Sequence, residues 1–161
     1  MSKIKIHPYL WYNKEAEEAA KFYTSIFPDS KITSTWSLPP DIPDGPPGTV
    51  TVVEFTLFGQ PFSAMSAGPL DAFNHSISLM VSCDTQEEID TYWNALLQNG
   101  GKEEQCGWLK DRYGVNWQIT PRVLMEMHKD KDRAAAKRAT YAMIKMVKLD
   151  IATLEKAFKN S

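Results

Sequence analysis

The sequence predicts an α+β fold built from two tandem βαβββ modules and a helical C-terminal extension. Each half of the chain begins with an alternating strand and continues into a helix that carries an adjacent aromatic pair, Phe22-Tyr23 and then Tyr92-Trp93. Strands with a glycine turn follow each helix, at Phe58-Gly59 and at Tyr113-Gly114. Two such modules, each apolar on one sheet face, would place their helices outside and form a curved mixed sheet around a shared cavity.

The first module is expected to span about residues 1–70. Asn13 is the expected N-cap of its helix, and Pro28 ends that helix. The segment 39–48 has five prolines in ten residues and predicts an irregular surface loop. Alternation, β-branched residues and aromatic residues predict strands at 4–12, 31–38, 49–58 and 61–67, with the helix at 14–27.

The second module is expected to span about residues 74–121. Asp84 or Thr85 is the expected cap of its helix, and Thr85 followed three residues later by Glu88 resembles a capping box. The charged run Lys110-Asp111-Arg112 is expected to form an exposed turn between two strands. The pattern predicts strands at 76–83, 102–110 and 114–120.

Residues 122–161 form the predicted extension, which is rich in Ala, Lys and Met. Apolar spacing predicts two helices with a break near residues 148–150. The basic residues of this segment are expected to face solvent. Its apolar stripe must cover something, either the sheet of the same chain or a partner subunit.

Composition excludes some classes of function. The formal net charge is −2 and the pI is near 5.9, so the chain lacks the basic field that nucleic-acid binding requires. No apolar run approaches the roughly 18 residues of a spanning helix, and the first residues lack the apolar core of a signal peptide. The two cysteines have no zinc-type spacing, so a reducing cytoplasm is the expected location.

Two residues are candidates for catalysis. Glu54 lies in the middle of an apolar strand, so its carboxylate is either exposed to solvent or turned into the cavity as a general base. Cys106 lies near two cations and is a candidate nucleophile, although no histidine lies close to it in the sequence. A cysteine in a strand is otherwise a small buried hydrophobe.

Several polar and aromatic side chains predict a ligand-binding cavity. Asn116 and Gln118 share one face of the last strand, and Ser76 and Ser78 share one face of an earlier strand. Polar neighbours on otherwise apolar strands indicate a cavity with hydrogen-bonding groups better than they indicate a dry core. Three tryptophans offer stacking surfaces for a planar ligand, with a place in the core as the alternative: Trp11, Trp108 and Trp117.

Three longer stretches carry a family resemblance: YLWYNKEAEEAAKFYTSIFPDS at 9–30, VEFTLFGQPFSAMSAGP at 53–69, and SLMVSCDTQEEIDTYWNALLQNGGKEEQCGWLKDRYGVNWQITP at 78–121. The chain resembles PhnB-like members of the vicinal-oxygen-chelate superfamily, which includes glyoxalase I, extradiol dioxygenases and bleomycin- and fosfomycin-resistance proteins. The resemblance implies a curved sheet around a cavity and a homodimer. It does not fix the reaction, because this superfamily hosts many reactions on one scaffold.

The resemblance also implies four metal-ligand positions, on the first and last strand of each module. Gln118 falls where many relatives have glutamate, while the other positions fall near Pro8, Ser76 and residues 64–66. His7 is next to Pro8 in the sequence and is expected to point to the sheet face opposite the ligand positions. A neutral amide with Pro, Ser, Ala or Met is a poor donor set for a hard divalent ion, so metal binding is disfavoured. If a metal is bound, a one-residue change of register would make His7, His75 and Gln118 the ligands.

The expected function is therefore that of a PhnB-like protein that binds a small organic molecule in the cleft between its modules, without a cofactor or a tightly bound metal. Lyase, isomerase or hydrolase-like chemistry is compatible with such a site. One alternative is a divalent-metal enzyme of the glyoxalase or dioxygenase type, and a second is a non-catalytic sequestering or interaction protein. Methyltransferase activity is not expected, because no G-x-G-x-x-G follows a strand.

Overall fold

Each half of the chain forms one four-stranded mixed sheet with one helix packed against it. The computed structural model describes residues 4–40, 43 and 49–161. The chain divides into two compact units, residues 1–71 and 72–161. In the first unit the elements are β1 (Tyr9–Tyr12), α1 (Ala16–Ile26), β2 (Lys31–Ser37), β3 (Thr51–Leu57) and β4 (Gln60–Ser66).

The first sheet has the strand order β1-β4-β3-β2, in which β1 pairs parallel to β4 and the other pairs are antiparallel. Helix α1 packs on the face that carries Phe55 and Phe62, whose stacked rings lie 5.4 Å apart. Tyr23 of α1 is fully buried, and its ring centroid lies 6.4 Å from that of Phe55. The alternation of β3 therefore places Val53, Phe55 and Leu57 under α1 and Glu54 on the opposite face.

The second unit repeats this βαβββ order and continues into the tail. Its elements are β5 (Leu79–Cys83), α2 (Gln86–Leu96), β6 (Lys102–Glu103), β7 (Trp108–Lys110), β8 (Asn116–Pro121), α3 (Arg122–Lys129), α4 (Arg133–Met143) and α5 (Ile151–Lys159). The sheet order is β5-β8-β7-β6, with β5 parallel to β8. The α+β class with two βαβββ modules and C-terminal helices is thus confirmed.

The N-termini of α1 and α2 are capped in different ways. Thr85 caps α2 as predicted: its hydroxyl accepts from the Glu88 N–H at 3.2 Å, and the Glu88 carboxylate accepts from the N–H of Asp84. The cap predicted for α1 was wrong. A cap at Asn13 would start the helix at residue 14, but α1 starts at Ala16. The Ala16 N–H donates instead to the hydroxyl of Ser66 on β4, at 3.0 Å.

Three predicted elements differ in extent. Strand β1 begins at Tyr9 rather than at residue 4, and β5 begins at Leu79 rather than at residue 76. The strand predicted at 102–110 is interrupted, because Cys106 and Gly107 adopt positive φ angles of 60° and 81°. Most of the predicted proline loop, residues 41, 42 and 44–48, lies outside the described residues.

The tail forms three helices rather than two, since Pro121 starts an additional helix directly after β8. These helices bury an apolar cluster of their own, made of Leu124, Met127, Ala139, Leu149 and Leu154.

The segment between α4 and α5 is attached to the rest of the second unit. The N–H of Gly107 donates to the Val147 carbonyl at 2.8 Å, and the Gln86 side chain bonds the backbone on both sides of Asp150. Lys148 pairs with Asp90 at 2.6 Å, and this hydrogen bond lowers the pKa of the Asp90 carboxyl. The tail therefore packs within its own unit. Within the described part of the chain, every helix is too short or too polar to cross a lipid bilayer.

Candidate functional site

The face of the first sheet opposite α1 carries two rows of side chains that run across the strands. Strand register sets the first row as Tyr9, Ser63, Glu54 and Ser34, and the second as Trp11, Met65, Val52 and Trp36. We call these eight residues the module-1 face. The face combines aromatic rings and apolar side chains with hydroxyl groups and one carboxylate.

Glu54 is exposed at the centre of this face, between Ser63 on β4 and Ser34 on β2. Both alternatives that the sequence left open, solvent exposure and a place among ligand-facing groups, are compatible with this position. Its role as a general base remains a prediction.

His7 joins the module-1 face through Ser63. Its Nε2 lies 3.0 Å from the Ser63 hydroxyl, and the Ser63 side chain is buried. The expectation that His7 would point to the opposite face was therefore wrong. The residues before Tyr9 are not paired as a strand, so the register assumed from an earlier strand start does not apply. Ser63 was not identified from the sequence, although it lies directly across from Glu54.

The aromatic residues of the module-1 face differ in their exposure and in their hydrogen bonds. Tyr9 and Trp36 are 52% and 44% exposed, so their rings are available to a ligand. Trp11 is half-buried and its indole N–H donates to the Gly68 carbonyl at 2.9 Å. That bond fixes the orientation of the Trp11 ring and ties β1 to the segment that follows β4.

The second sheet has an equivalent face opposite α2, which we call the module-2 face. It is formed by Ser78, Met80, Ser82, Trp108, Lys110, Asn116, Gln118 and Thr120. The Gln118 amide donates to the Ser78 hydroxyl at 2.8 Å, so these two predicted ligand-binding residues are brought together. Asn116 is buried and donates to the Asn74 carbonyl at 2.7 Å, which holds the segment before β5 against β8.

Two of the predicted ligand-binding residues, Ser76 and Ser78, lie before the start of β5 and not on a strand. Ser76 sits in a turn, where its N–H donates to the Asn74 side chain at 2.8 Å. The expected pairing of Ser76 and Ser78 on one strand face was wrong, because this turn ends the extended backbone before β5 begins.

A carboxylate and an imidazole meet at the edge of the module-2 face. His75 Nε2 lies 2.8 Å from Glu104 Oε2, and Lys110 Nζ lies 3.7 Å from the other carboxylate oxygen. An ionised carboxylate can only accept a hydrogen bond, so the tautomer of His75 that bonds Glu104 carries its proton on Nε2 and has Nδ1 as an acceptor. The ring centroid of His75 lies 6.1 Å from that of Trp108. This arrangement presents an oriented imidazole beside an aromatic surface.

The charged run at residues 110–112 forms a turn, but its expected full exposure was wrong for Asp111. Its carboxylate is buried and accepts from the N–H groups of Tyr113 at 2.8 Å and Val115 at 3.1 Å. The indole N–H of Trp117, a core residue on the α2 side, donates to the other oxygen at 2.9 Å. Asp111 therefore stabilises the β7–β8 turn, and the three donors explain why it is buried.

The two cysteines occupy different environments. Cys83 is fully buried, and burial raises the pKa of its thiol to about 12, so it is a core residue. Cys106 is half-buried in the left-handed turn between β6 and β7, with its N–H bonded to the Met146 carbonyl at 2.9 Å. The expectation of a strand cysteine was wrong for Cys106. Its role as a nucleophile remains a prediction.

The donor atoms do not form an evident metal site. His7, His75 and Gln118, the conditional ligands, each use a side-chain nitrogen in a bond to another side chain. Among residues 4–40, 43 and 49–161, three His, Cys, Asp or Glu side chains are nowhere grouped so that they could hold a metal ion. That metal binding is disfavoured remains a prediction, and we derive no step through a metal.

Comparison with known proteins establishes the family. Residues 4–120 match the family model described as 3-demethylubiquinone-9 3-methyltransferase. A solved PhnB protein from Bacillus cereus that carries the same enzyme name is 38% identical, with 73% of this chain and 99% of that chain covered and a TM-score of 0.64. The chain belongs to this PhnB-like family. A search of curated proteins gave no match.

More distant structures show that the PhnB-like chain has the vicinal-oxygen-chelate fold. Protein PA1353 from Pseudomonas aeruginosa is 20% identical over 74% of this chain and 98% of its own, with a TM-score of 0.59. The fosfomycin resistance protein FosX from Mesorhizobium loti is 12% identical over 81% of this chain and 100% of its own, with a TM-score of 0.57. At these identities the likeness concerns the fold and carries no chemistry.

Proposed function

We propose that this PhnB-like protein binds a small organic molecule on its module faces and that binding does not depend on a tightly held metal ion. The observation that carries the proposal is the combination, on both sheet faces opposite the helices, of hydrogen-bonding side chains with accessible aromatic rings. Ligand sites in proteins are mostly apolar, with a few placed polar groups that orient the ligand.

The polar pairs support this proposal because they are held in place and keep bonding capacity. The Ser78 hydroxyl that accepts from Gln118 can still donate a hydrogen bond, and the Gln118 carbonyl oxygen can still accept one. The same holds for His75, whose Nδ1 can accept a hydrogen bond or a proton from a ligand while Glu104 holds Nε2. Chemistry of the lyase, isomerase or hydrolase type could use these groups.

There are two alternatives, and the experiment below tests the first of them. A divalent-metal enzyme of the glyoxalase type would bind its ion through the ring nitrogens of His7 and His75 that do not face Ser63 and Glu104. A non-catalytic sequestering protein would use the same faces without turnover. We do not extend methyl transfer to this chain, since both sheets are mixed and, in the part of the chain that the structure describes, no glycine-rich loop follows a parallel strand to hold S-adenosylmethionine. A cytoplasmic homodimer remains part of the proposal.

The test is elemental analysis of the purified, untagged protein by plasma mass spectrometry, together with a thermal-shift titration of Mn²⁺, Fe²⁺, Ni²⁺ and Zn²⁺. We expect substoichiometric metal and no rise in melting temperature. Near-stoichiometric metal whose removal lowers the melting temperature would instead support the metal-enzyme alternative, because a ligand that binds only the folded state stabilises it.

A further inference from the structure

We propose that the module-1 face selects small organic cations, namely molecules with a substituted ammonium group and an apolar part. The inference rests on the proposed function and names the ligand class for one of its two faces. It starts from the position of Glu54, which is the one acidic side chain among the eight residues that define this face.

The carboxylate of Glu54 is available for a ligand. Glu54 is exposed, and it forms no ion pair or hydrogen bond with any residue that the structure describes. Lys31 lies one row further along the sheet, opposite Thr56, and likewise forms no ion pair with Glu54. His7 is bonded to Ser63. An unpaired carboxylate on this face favours a cation over a neutral or anionic ligand.

Aromatic and soft apolar side chains surround the carboxylate. Trp36 and Met65 are diagonal neighbours of Glu54 across the strands, at about 7–8 Å between Cα atoms, a distance that large side chains span. Tyr9 lies in the same row as Glu54, two strands away, or roughly 10 Å. Both aromatic rings are substantially exposed. Aromatic faces attract substituted ammonium groups, which are weakly hydrated cations with apolar surfaces.

The second row of the module-1 face would contact the apolar part of the ligand. Trp11, Met65 and Trp36 give the second row accessible apolar surface beside the first row of polar groups, and Val52 is buried between Met65 and Trp36. Ser34 and Ser63 flank Glu54 directly. A cation with a short apolar or hydroxylated substituent would contact both rows.

The test uses three probes of nearly the same shape: choline, its uncharged isostere 3,3-dimethylbutan-1-ol, and the anion 3,3-dimethylbutanoate. Each is titrated into ¹⁵N-labelled full-length protein while the indole N–H signal of Trp36 is followed. We expect choline to shift this signal with saturation and the uncharged isostere to bind about threefold to tenfold more weakly. The anion should bind more weakly still, and added salt should weaken choline binding.

Variants assign the effect to the face. Glu54→Gln should lower choline affinity to that of the uncharged isostere, and Trp36→Leu should lower it roughly threefold while Glu54 remains. Glu87→Gln, which removes one exposed charge from α2, is the matched control and should change nothing. Both test positions are exposed, so the variants should fold.

Equal binding of choline and the alcohol, stronger binding of the anion, or unchanged choline affinity in Glu54→Gln would each overturn the cation proposal. Preference for the alcohol or the anion would leave the proposed function standing, because that function requires a ligand but not a cation. Absence of any probe binding would also overturn the cation proposal. A fragment screen on the tryptophan signals would then test the proposed function.

Discussion

Replacement of Asp111 by asparagine measures how far one buried carboxylate stabilises the second module. The carboxylate meets three N–H donors, two on the turn backbone and one on the Trp117 indole. Asparagine keeps the shape but has one carbonyl oxygen, so in either amide orientation an NH₂ group faces at least one of these donors. The loss of one hydrogen bond to a charged acceptor, with a buried donor left unpaired, should cost about 3 kcal/mol.

For a chain of this length, that loss should lower the melting temperature by about 6–12 °C. The assay is thermal and urea unfolding followed by circular dichroism. Asp71→Asn is the matched control: Asp71 is exposed, and this variant should stay within about 0.5 kcal/mol of the wild type. A melting temperature of Asp111→Asn within about 2 °C of the wild type would refute the structural role of this carboxylate.

Further predictions concern Gly107, which packs against the tail, and the two cysteine thiols. Gly107→Ala should destabilise the fold by more than Gly114→Ala in urea unfolding. Both sites have positive φ, but only a Cβ at 107 would lie 2.8 Å from the Leu149 side chain of the tail and 2.9 Å from the Ile119 carbonyl oxygen. Equal losses would contradict the packing of the tail against Gly107. Ellman's reagent at pH 8 should titrate one thiol, Cys106, in the folded protein and the buried Cys83 only after unfolding, and two fast thiols would contradict this assignment. Because the pKa of Cys83 is raised from 9.0 to about 12, its contribution to stability is complete below pH 9 and is lost as the pH rises toward 12. Cys83→Ala should show a smaller loss of stability over that pH range, as measured by urea unfolding.

The repeat of the two modules could be predicted because it depends on local patterns. The aromatic pairs in the helices and the Thr85 cap are encoded by neighbouring residues, and the structure has them where the pattern predicts. The alternating strands are also present, although β1 and β5 start later than predicted. The third tail helix was missed, because Pro121 was taken only as the end of the second module and not also as the start of a helix.

The site was harder to predict, because strand register and loop contacts decide which side chains meet. Glu104 reaches His75 across 29 positions, and Trp117 reaches Asp111 through the shape of a turn. The first contact depends on the interruption between β6 and β7, and the second depends on the turn after β7. A periodic pattern reveals neither feature. The shared face of Asn116 and Gln118 was predictable, since two residues at a spacing of two in a strand always lie on one side.

The indole N–H signals of the five tryptophans provide the most direct test of the central claim, that the module faces are the ligand site. Trp11, Trp36 and Trp108 lie on these faces, whereas Trp93 and Trp117 are buried in the core and bonded to Glu103 and Asp111. The measurement is a fragment screen in which ¹H–¹⁵N spectra report all five signals at once. Our account predicts fragments that shift the signals of Trp11, Trp36 or Trp108 and leave those of Trp93 and Trp117 in place. Fragments that bind and shift only the core signals, or none of the five, would contradict it.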